Sequence, residues 1–314
     1  MIIQFSHSGQ ELNMSRQSSK NGLAYRFDNT IVNTGFRFWN NEPSHKRKYI
    51  KNKGWYLENT GNSFNPIPKK GELYFWGEWE SQSRFELTGN RFSTTPSLPH
   101  AIHYPMFSIR GMGCHNTDPF VFGEHFYYTN CKQKSHSFLQ TLNNDSIIIY
   151  GSERGRTEFV IDTVFVVGTS ELVQDYHLHP TNYPLTLRQA TIDLNGGLPN
   201  YMRLYQGKMY DFSRKYLEEK PYTFCFVPCM IDCDASGFER PVIDWQRFNL
   251  QKPGAGTVTK RIDSNSENSF WHDLVAELIK QGFSLGIKLE MPANNDSEEF
   301  PEYEKSDTKC GGRC

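Results

Sequence analysis

Apolar runs bounded by turn residues dominate the pattern along the chain, and they predict short β-strands. Two of these runs, residues 146–150 and 158–167, are joined by a short polar connection that contains two glycines. Two β-rich runs joined in this way predict an antiparallel hairpin. Because both runs are nearly continuous in apolar residues, we expect them to be buried on both faces, like the inner strands of a barrel or closed sheet.

Four more segments have strand-like patterns. The N-terminal residues 1–6 are mostly apolar, residues 72–80 are rich in aromatic side chains, and residues 222–231 combine aromatic and β-branched residues. Residues 284–290 resemble a closing strand near the C-terminus. Together with the hairpin, these segments predict a β-rich core.

Two segments repeat apolar residues at the spacing of a helix. The first lies within residues 201–220, with its apolar positions at Tyr205, Met209, Phe212 and Tyr216. The second has its apolar face at Trp271, Leu274, Val275 and Leu278. Asn268 or Ser269 can cap the start of this second helix, and Gly282 can end it.

These patterns predict an α+β protein. Its β-rich core consists of curved antiparallel strands in a barrel-like arrangement, with helices packed at the C-terminal side. Residues 1–245 are predicted to form a β-rich domain, and residues 246–292 a C-terminal helix and closing strand packed on it. Residues 293–314 are acidic and polar, so we expect a disordered tail.

Composition places the chain among packed globular proteins. Aromatic residues make up 14% of its 314 residues, which is well above the share in disordered chains. The formal net charge of −1 argues against tight, nonspecific binding to long duplex nucleic acid. A pocket for one nucleotide or one base remains compatible with that charge.

Three features favour a cytoplasmic protein. No run of about 18 apolar residues occurs, so neither a transmembrane helix nor a membrane partner is expected. The apolar stretch at the N-terminus is too short for a signal peptide. The seven cysteines fit this compartment, because their odd number favours free thiols over a disulfide framework.

Residues 114–133 are the candidate functional segment. They mix polar side chains that can bond a ligand with aromatic and turn residues, which is the composition of a small-molecule or nucleobase pocket. His115 and Asp118 are the candidate catalytic pair, because an imidazole exchanges protons near neutral pH. Asp118 precedes a proline, so closing a turn is an alternative role for it.

The same segment offers groups that can pair with a base edge or a phosphate. These ligand-binding candidates are Asn116, Thr117, Asn130, Lys132 and Gln133. An alternative is a zinc site formed by Cys114, His115, Cys131 and His136. Adjacent side chains on a strand point to opposite faces, which disfavours that set, and no metal is assigned.

Further candidates lie outside this segment. Tyr150 ends the first hairpin run and Gly151 and Ser152 follow it, and all three are expected to line the same pocket. Trp76 can stack on a base, and Arg240 can bind a phosphate through two hydrogen bonds. A core tryptophan and an arginine paired with a structural carboxylate are the alternatives for these last two residues.

Other charged residues are interpreted as solvated. The basic run 45–51 is interpreted as a solvated loop, with a phosphate-contacting patch as the alternative. Glu78 and Glu80 share a strand face with Trp76 and are interpreted as solvated side chains beside core tryptophans. The chain has no Walker loop, G-x-G-x-x-G turn, H-E-x-x-H pair or G-x-S-x-G elbow, so the NTPase, Rossmann, zincin and hydrolase classes lose support and no cofactor is assigned.

Short patterns along residues 1–245 resemble the nucleotide-modification-associated domains of bacterial and phage proteins. They comprise the start at residues 1–9, the His115-x-x-Asp118-Pro119 portion, and Tyr150-Gly151-Ser152 followed by residues 162–167. The layout is also similar to small barrels that read modified bases. The resemblance implies a role in the chemistry or recognition of modified nucleotides during phage–host conflict, and it assigns no catalytic roles.

The sequence therefore favours a protein that processes a nucleotide or modified base in bacterial or phage defence or DNA modification. A non-catalytic sensor of a nucleotide signal or modified base, which regulates a partner, is the first alternative. A nuclease or glycosyl-transfer enzyme using Asp118 and a glutamate is the second. The expected ligand is a nucleotide or nucleobase, and nucleic acid is a further candidate partner.

Overall fold

The computed structural model shows a protein built mainly from β-sheet. It describes residues 1–6, 14–19, 22–27, 30–33, 38–39, 47–90, 98–107, 116–154, 158–192, 198–213, 222–233, 236–252, 259–262 and 266–294. Within these ranges, no helix has the length and apolar character needed to cross a bilayer. Most of the predicted acidic tail, residues 295–314, lies outside the described residues.

Strands make up the framework of the described residues. The first nine are β1 (Ile2–Ser6), β2 (Met14–Ser19), β3 (Gly22–Phe27), β4 (Thr30–Asn33), β5 (Phe38–Trp39), β6 (Arg47–Leu57), β7 (Lys69–Glu78), β8 (Ser83–Leu87) and β9 (Ala101–Phe107). The next nine are β10 (Tyr127–Tyr128), β11 (Ile147–Arg154), β12 (Glu158–Leu172), β13 (Arg203–Gly207), β14 (Val227–Ile231), β15 (Val242–Ile243), β16 (Thr259–Ile262), β17 (Ser284–Leu289) and β18 (Ala293–Asn294).

Helices are short except near the C-terminus. The α-helices are α1 (Val173–Leu178), α2 (Leu185–Leu187) and α3 (Glu267–Lys280). Single 3-10 turns occur at Ser137–Gln140 and Pro180–Asn182, and a π-helical turn at Arg188–Ile192 follows α2 directly.

Seven strands form one mixed sheet, in the order β10-β13-β12-β11-β1-β16 with β15 beside β12. β11 and β12 are antiparallel neighbours, which confirms the predicted hairpin. β1 pairs with β11 in parallel and with β16 in the antiparallel direction, so the N-terminal strand lies inside the sheet. The apolar side chains of residues 147–150 and 159–167 are fully buried, as their nearly continuous apolar pattern predicts.

Four strands of a second sheet close into a barrel. This sheet has the order β17-β14-β7-β6-β9-β8-β5, and β17 also pairs with β6. All four pairings around the ring β17-β14-β7-β6 are antiparallel. The predicted α+β fold with a barrel-like, β-rich core is therefore confirmed. The closing strand predicted at residues 284–290 is β17.

Strands from the C-terminal part of the chain belong to both of the larger sheets. β16 joins the first sheet beside β1, and β17 completes the barrel. β18 contains the first two residues of the predicted tail and pairs with β9. β2, β3 and β4 form a separate three-stranded sheet. The division of the chain at residue 245 stays a prediction.

The helix predicted within residues 201–220 is wrong over its first part. Arg203–Gly207 is a strand that pairs with β10 and β12. Tyr205 is buried in that sheet, whereas Phe212 is about half exposed beyond it. Residues 214–221 lie outside the described residues. The apolar spacing therefore arises from a strand and the segment that follows it.

The predicted C-terminal helix is confirmed as α3. Its cap is Ser266, whose Oγ accepts a hydrogen bond of 3.1 Å from the Ser269 backbone nitrogen, so capping by Asn268 or Ser269 is wrong by a few residues. Gly282 follows the helix with a φ of +88°, a conformation that glycine adopts without strain. The predicted end of the helix is therefore confirmed as well.

α3 packs its apolar face against the chain that leads into β14. Trp271, Leu274, Val275 and Leu278 are all buried, as predicted from their spacing. The Trp271 indole nitrogen donates a 3.0 Å hydrogen bond to the Phe224 carbonyl, and the two rings meet with their centroids 4.8 Å apart. Burial of so much aromatic surface makes this contact a main attachment of the helix.

Gly54 of β6 and Gly71 of β7 face each other, and substitutions at these two positions test how the barrel closes. A Cβ on Gly54 would lie 2.5 Å from the Lys288 carbonyl oxygen of β17 and 2.8 Å from a Leu73 methyl carbon. A Cβ on Gly71 would meet only the edge of the Tyr56 ring, at 3.3 Å. We expect Gly54→Ala to force β17 away from β6 and to lower the free energy of unfolding by about 3 kcal/mol.

Gly71→Ala is the matched control and should cost less than about 1 kcal/mol. Equilibrium urea unfolding of the three proteins measures both effects. Equal losses for the two variants would contradict the close approach of β6 and β17.

Candidate functional site

Arg47 forms a buried ion pair with carboxylates from both sheets. On the barrel, it lies directly opposite Glu78 in the β6–β7 register, and its Nη1 donates to Glu78 Oε2. Its Nε donates to Asp162 Oδ2 of β12 at 2.6 Å. All three side chains are almost completely buried. Burial by itself lowers the pKa of Arg47, but the charges of Glu78 and Asp162 raise it overall, so the guanidinium stays charged.

A β-bulge places Asp162 in this position. Tyr150 pairs with Thr163 and Gly151 pairs with Ile161, so Asp162 is the extra residue of β12. The extra residue of a bulge bends the strand and redirects side chains. A Cβ on Gly151 would lie 2.2 Å from the Val160 carbonyl oxygen, so only glycine fits here. Gly151, predicted to bind a ligand, thus has a clear local role in the backbone.

Arg240 extends the ion pair toward the predicted binding residues. Its Nη1 lies 3.6 Å from Asp162 Oδ1 and donates to the Ser152 hydroxyl. Its guanidinium lies over the Trp76 ring, 5.6 Å from the centroid, and the Trp76 indole nitrogen donates to the Phe238 carbonyl at 2.9 Å. Three residues predicted from sequence (Trp76, Ser152 and Arg240) therefore meet in one buried contact.

Asp118 is held by the loop that follows it. Its Oδ1 accepts from the Thr129 backbone nitrogen at 3.1 Å, and its Oδ2 accepts from those of Asn130 and Cys131 at 2.8 and 2.6 Å. Burial raises the pKa of Asp118 to about 7, while these three backbone amides oppose that rise. The carboxyl group can therefore exchange a proton near neutral pH, although its oxygens already fasten a turn.

Tyr150 lies beside Asp118 with a buried hydroxyl that has no hydrogen-bond partner within the described ranges. Its ring contacts Phe5 and Tyr128, with centroids 4.9 and 5.8 Å away. Burial raises the pKa of Tyr150 well above its usual value, and the nearby Tyr128, Asp118 and Glu78 add to the rise. A buried hydroxyl without a partner is uncommon and needs an explanation, such as a bound ligand or water.

We call these interacting residues the central polar cluster. It contains Arg47, Glu78, Asp118, Tyr150, Ser152, Asp162 and Arg240. Its two arginines are balanced by Glu78 and Asp162, and Asp118 is the only further acid among its members. The cluster can therefore offer hydrogen bonds to a polar group, but it has no surplus positive charge for a phosphate.

The other predicted residues of the 114–133 segment mainly hold the segment together. Asn116 Oδ1 accepts from the Asn130 side-chain amide at 2.7 Å. Thr117 Oγ1 accepts from the Glu80 backbone nitrogen at 2.9 Å. The Gln133 side chain makes two 2.8 Å hydrogen bonds to the Arg203 backbone and so attaches the loop to β13.

Two predicted residues stand apart from these contacts. Lys132 has a φ of 63° and lies in a turn, partly exposed. His115, half of the predicted catalytic pair, lies outside the described residues, as does Cys114 of the alternative zinc set. Asp118 is therefore described without its predicted partner.

Sequence reasoning missed the charged residues at the centre of the site. The interpretation of run 45–51 as a solvated loop is wrong at Arg47 and Lys48, which are buried in β6. The interpretation of Glu78 and Glu80 as solvated is also wrong, because both are buried. The signal that could have found the cluster is Asp162, a carboxylate inside an apolar strand, which needs a buried cationic partner.

No protein-family model matches the chain, and comparison with curated proteins and with solved structures finds no significant match. The resemblance to nucleotide-modification-associated domains therefore stays a prediction. The chemistry of the site is inferred from its own residues.

Arg47→Met tests the charge balance of the central polar cluster. Methionine fills a similar volume but leaves Glu78 and Asp162 buried without their shared cation, so we expect a loss of about 3 to 5 kcal/mol in the free energy of unfolding. Lys51→Met, on the same strand, removes a surface pair with Glu72 and should cost less than about 1 kcal/mol. Chemical denaturation followed by fluorescence measures both. A loss for Arg47→Met no larger than that for Lys51→Met would contradict the assignment.

Proposed function

We propose that the chain binds a nucleobase or nucleoside at the central polar cluster and acts in the recognition or processing of modified nucleotides. The observation that carries this proposal is the Tyr150 hydroxyl, which is buried beside Asp118 and Glu78 and lacks a partner within the described ranges. A hydroxyl that both donates and accepts suits the mixed donor and acceptor edge of a base.

Charge balance supports a neutral ligand over a polyphosphate. Arg47 and Arg240 already contact Glu78 and Asp162, and binding a phosphate would have to separate these buried pairs at a cost of several kcal/mol. A base or nucleoside avoids that cost because it carries hydrogen-bonding groups without net charge.

Aromatic side chains around the cluster support a flat ligand. Phe5 and Tyr128 flank the Tyr150 ring, and Trp76 lies beneath Arg240. Aromatic rings stack on bases and are tolerant of base identity, so the polar groups would supply the selectivity.

The hydrogen bonds that Asp118 accepts favour ligand recognition over a chemical reaction. Both of its oxygens accept hydrogen bonds from backbone amides, so the carboxyl group has a positioning role in the loop. Its pKa of about 7 favours acid–base chemistry on the ligand as the second candidate function.

Tyr150→Phe is the sharpest test. We expect wild-type protein to bind at least one nucleoside from a panel of the four common deoxynucleosides and their 5-methyl and 5-hydroxymethyl pyrimidine forms, measured by isothermal titration calorimetry. Removing the hydroxyl should weaken that binding about tenfold, because it deletes one ligand hydrogen bond. The free energy of unfolding should stay the same or rise, because no described hydrogen bond is lost.

Tyr205→Phe is the matched control. Its hydroxyl donates to the Leu139 carbonyl at 2.8 Å and accepts from the Leu142 backbone nitrogen at 3.2 Å. This change should lower stability by about 1 to 2 kcal/mol and leave nucleoside affinity unchanged. Failure of every nucleoside to bind, or equal affinity in wild type and Tyr150→Phe, would refute the proposal. Conversion of a bound nucleoside, detected by chromatography between pH 6 and 8, would favour the second candidate.

A further inference from the structure

A second buried group of reactive side chains lies outside the central polar cluster. It consists of Lys48 on β6, Glu80 just after β7, Ser83 on β8 and His103 on β9, and we call it the Lys48 cluster. None of the four is more than 2% exposed. Lys48 follows Arg47 directly, so the two side chains point to opposite faces of β6.

The Lys48 amine is surrounded by groups that can exchange protons. Its Nζ donates to the Ser81 carbonyl at 3.3 Å. His103 Nδ1 and Ser83 Oγ share a 3.0 Å hydrogen bond. The Glu80 carboxylate accepts a 2.7 Å bond from the Asn116 backbone nitrogen, which connects this cluster to the predicted functional segment.

Burial changes the protonation of both bases in the cluster. It lowers the pKa of Lys48 to about 7, although the Glu80 charge acts in the opposite direction. It also lowers the pKa of His103 well below its usual value, and the Lys48 charge adds to this effect. At neutral pH the imidazole is neutral and about half of the amine is neutral as well.

We propose that Lys48 is a nucleophilic lysine that forms an imine with a small, uncharged carbonyl compound. A desolvated lysine is one of the standard ways in which proteins activate an amine for Schiff-base chemistry. Lys48 lies close enough to Glu80 and His103 for their charges to interact, and these groups can supply the proton transfers that this chemistry needs. This inference is independent of nucleobase binding, because no residue of the Lys48 cluster belongs to the central polar cluster.

An anion is a poorer ligand for this position. The buried Glu80 carboxylate would repel it, and an amine that is half neutral is a weak anion partner. The walls of this site would be aromatic on the His103 side, where the Phe85 ring lies 6.0 Å from the His103 ring. An aldehyde or ketone suits these walls because it combines apolar carbon with a single polar carbonyl group.

The reaction proceeds in two steps. The Nζ lone pair attacks the carbonyl carbon, the C=O π electrons move to the oxygen, and an amine proton is transferred to that oxygen to give a carbinolamine. The Glu80 carboxylate then takes the remaining N–H proton and passes it to the hydroxyl group, which leaves as water while the electron pair of the N–H bond forms the C=N bond. Glu80 ends as the carboxylate that it was at the start, so the net change is amine plus carbonyl to imine plus water.

Reductive trapping tests this proposal on the full chain. The protein is incubated at pH 7 with millimolar acetaldehyde or acetone and sodium cyanoborohydride, and each lysine is quantified by peptide mass spectrometry. We expect Lys48 to be alkylated at least tenfold more than any other lysine, because burial lowers the pKa of its amine. This advantage should shrink as the pH rises toward the ordinary pKa of a lysine amine, about 10.

Three variants separate a nucleophilic from a structural lysine. Lys48→Met should remove the selective alkylation, and Lys51→Met on the same strand should retain it. Glu80→Gln keeps an acceptor for the Asn116 amide but loses the carboxylate that transfers the proton, so it should slow imine formation at Lys48 at least tenfold. Absence of alkylation at Lys48 at pH 7 to 9 in folded wild-type protein, or an unchanged rate in folded Glu80→Gln, would overturn the proposal.

Discussion

The position of the barrel relative to the mixed seven-stranded sheet depends on the contact of Arg47 with two carboxylates. Glu78 belongs to the barrel and Asp162 to the mixed sheet, and the Arg47 guanidinium donates hydrogen bonds to both. Removing three charges from water is costly, and the cost is recovered only when each charge meets its partner at close range. Hydrophobic packing alone tolerates sliding between the sheets, whereas these directional bonds fix their position.

The local backbone of β11 and β12 follows from this constraint. Asp162 can reach Arg47 because it is the extra residue of a bulge, and the bulge fits only because Gly151 has no side chain. On the neighbouring strand β11, Tyr150 lies beside Asp118 and Ser152 contacts Arg240. The ion pairs balance the charges at the centre, and the buried Tyr150 hydroxyl is left without a hydrogen-bond partner within the described residues.

Periodic patterns were sufficient for part of the fold. The hairpin of β11 and β12, the helix α3 and the strand β17 each have an uninterrupted pattern whose burial is decided locally. The pattern in residues 201–220 misled because Tyr205 lies in a strand and Phe212 beyond it, with the spacing of a helix only by coincidence. Asp118, Ser152, Trp76 and Arg240 were found from residue type, but their partners were not. Arg47 lies 115 residues from Asp162, and no local pattern connects them.

Arg47 and Lys48 show why a basic run could not be interpreted from sequence. Both neighbours are buried, yet the pKa of Arg47 is raised and the pKa of Lys48 is lowered. Arg47 meets two hydrogen-bonded carboxylates, which outweigh the cost of desolvation and raise its pKa. Burial lowers the pKa of Lys48 more than the charge of Glu80 raises it, so the pKa falls to about 7. A planar guanidinium can bridge two carboxylates, whereas a compact amine loses its proton more readily when buried. The same strand therefore carries a fixed structural charge on one face and a reactive amine on the other.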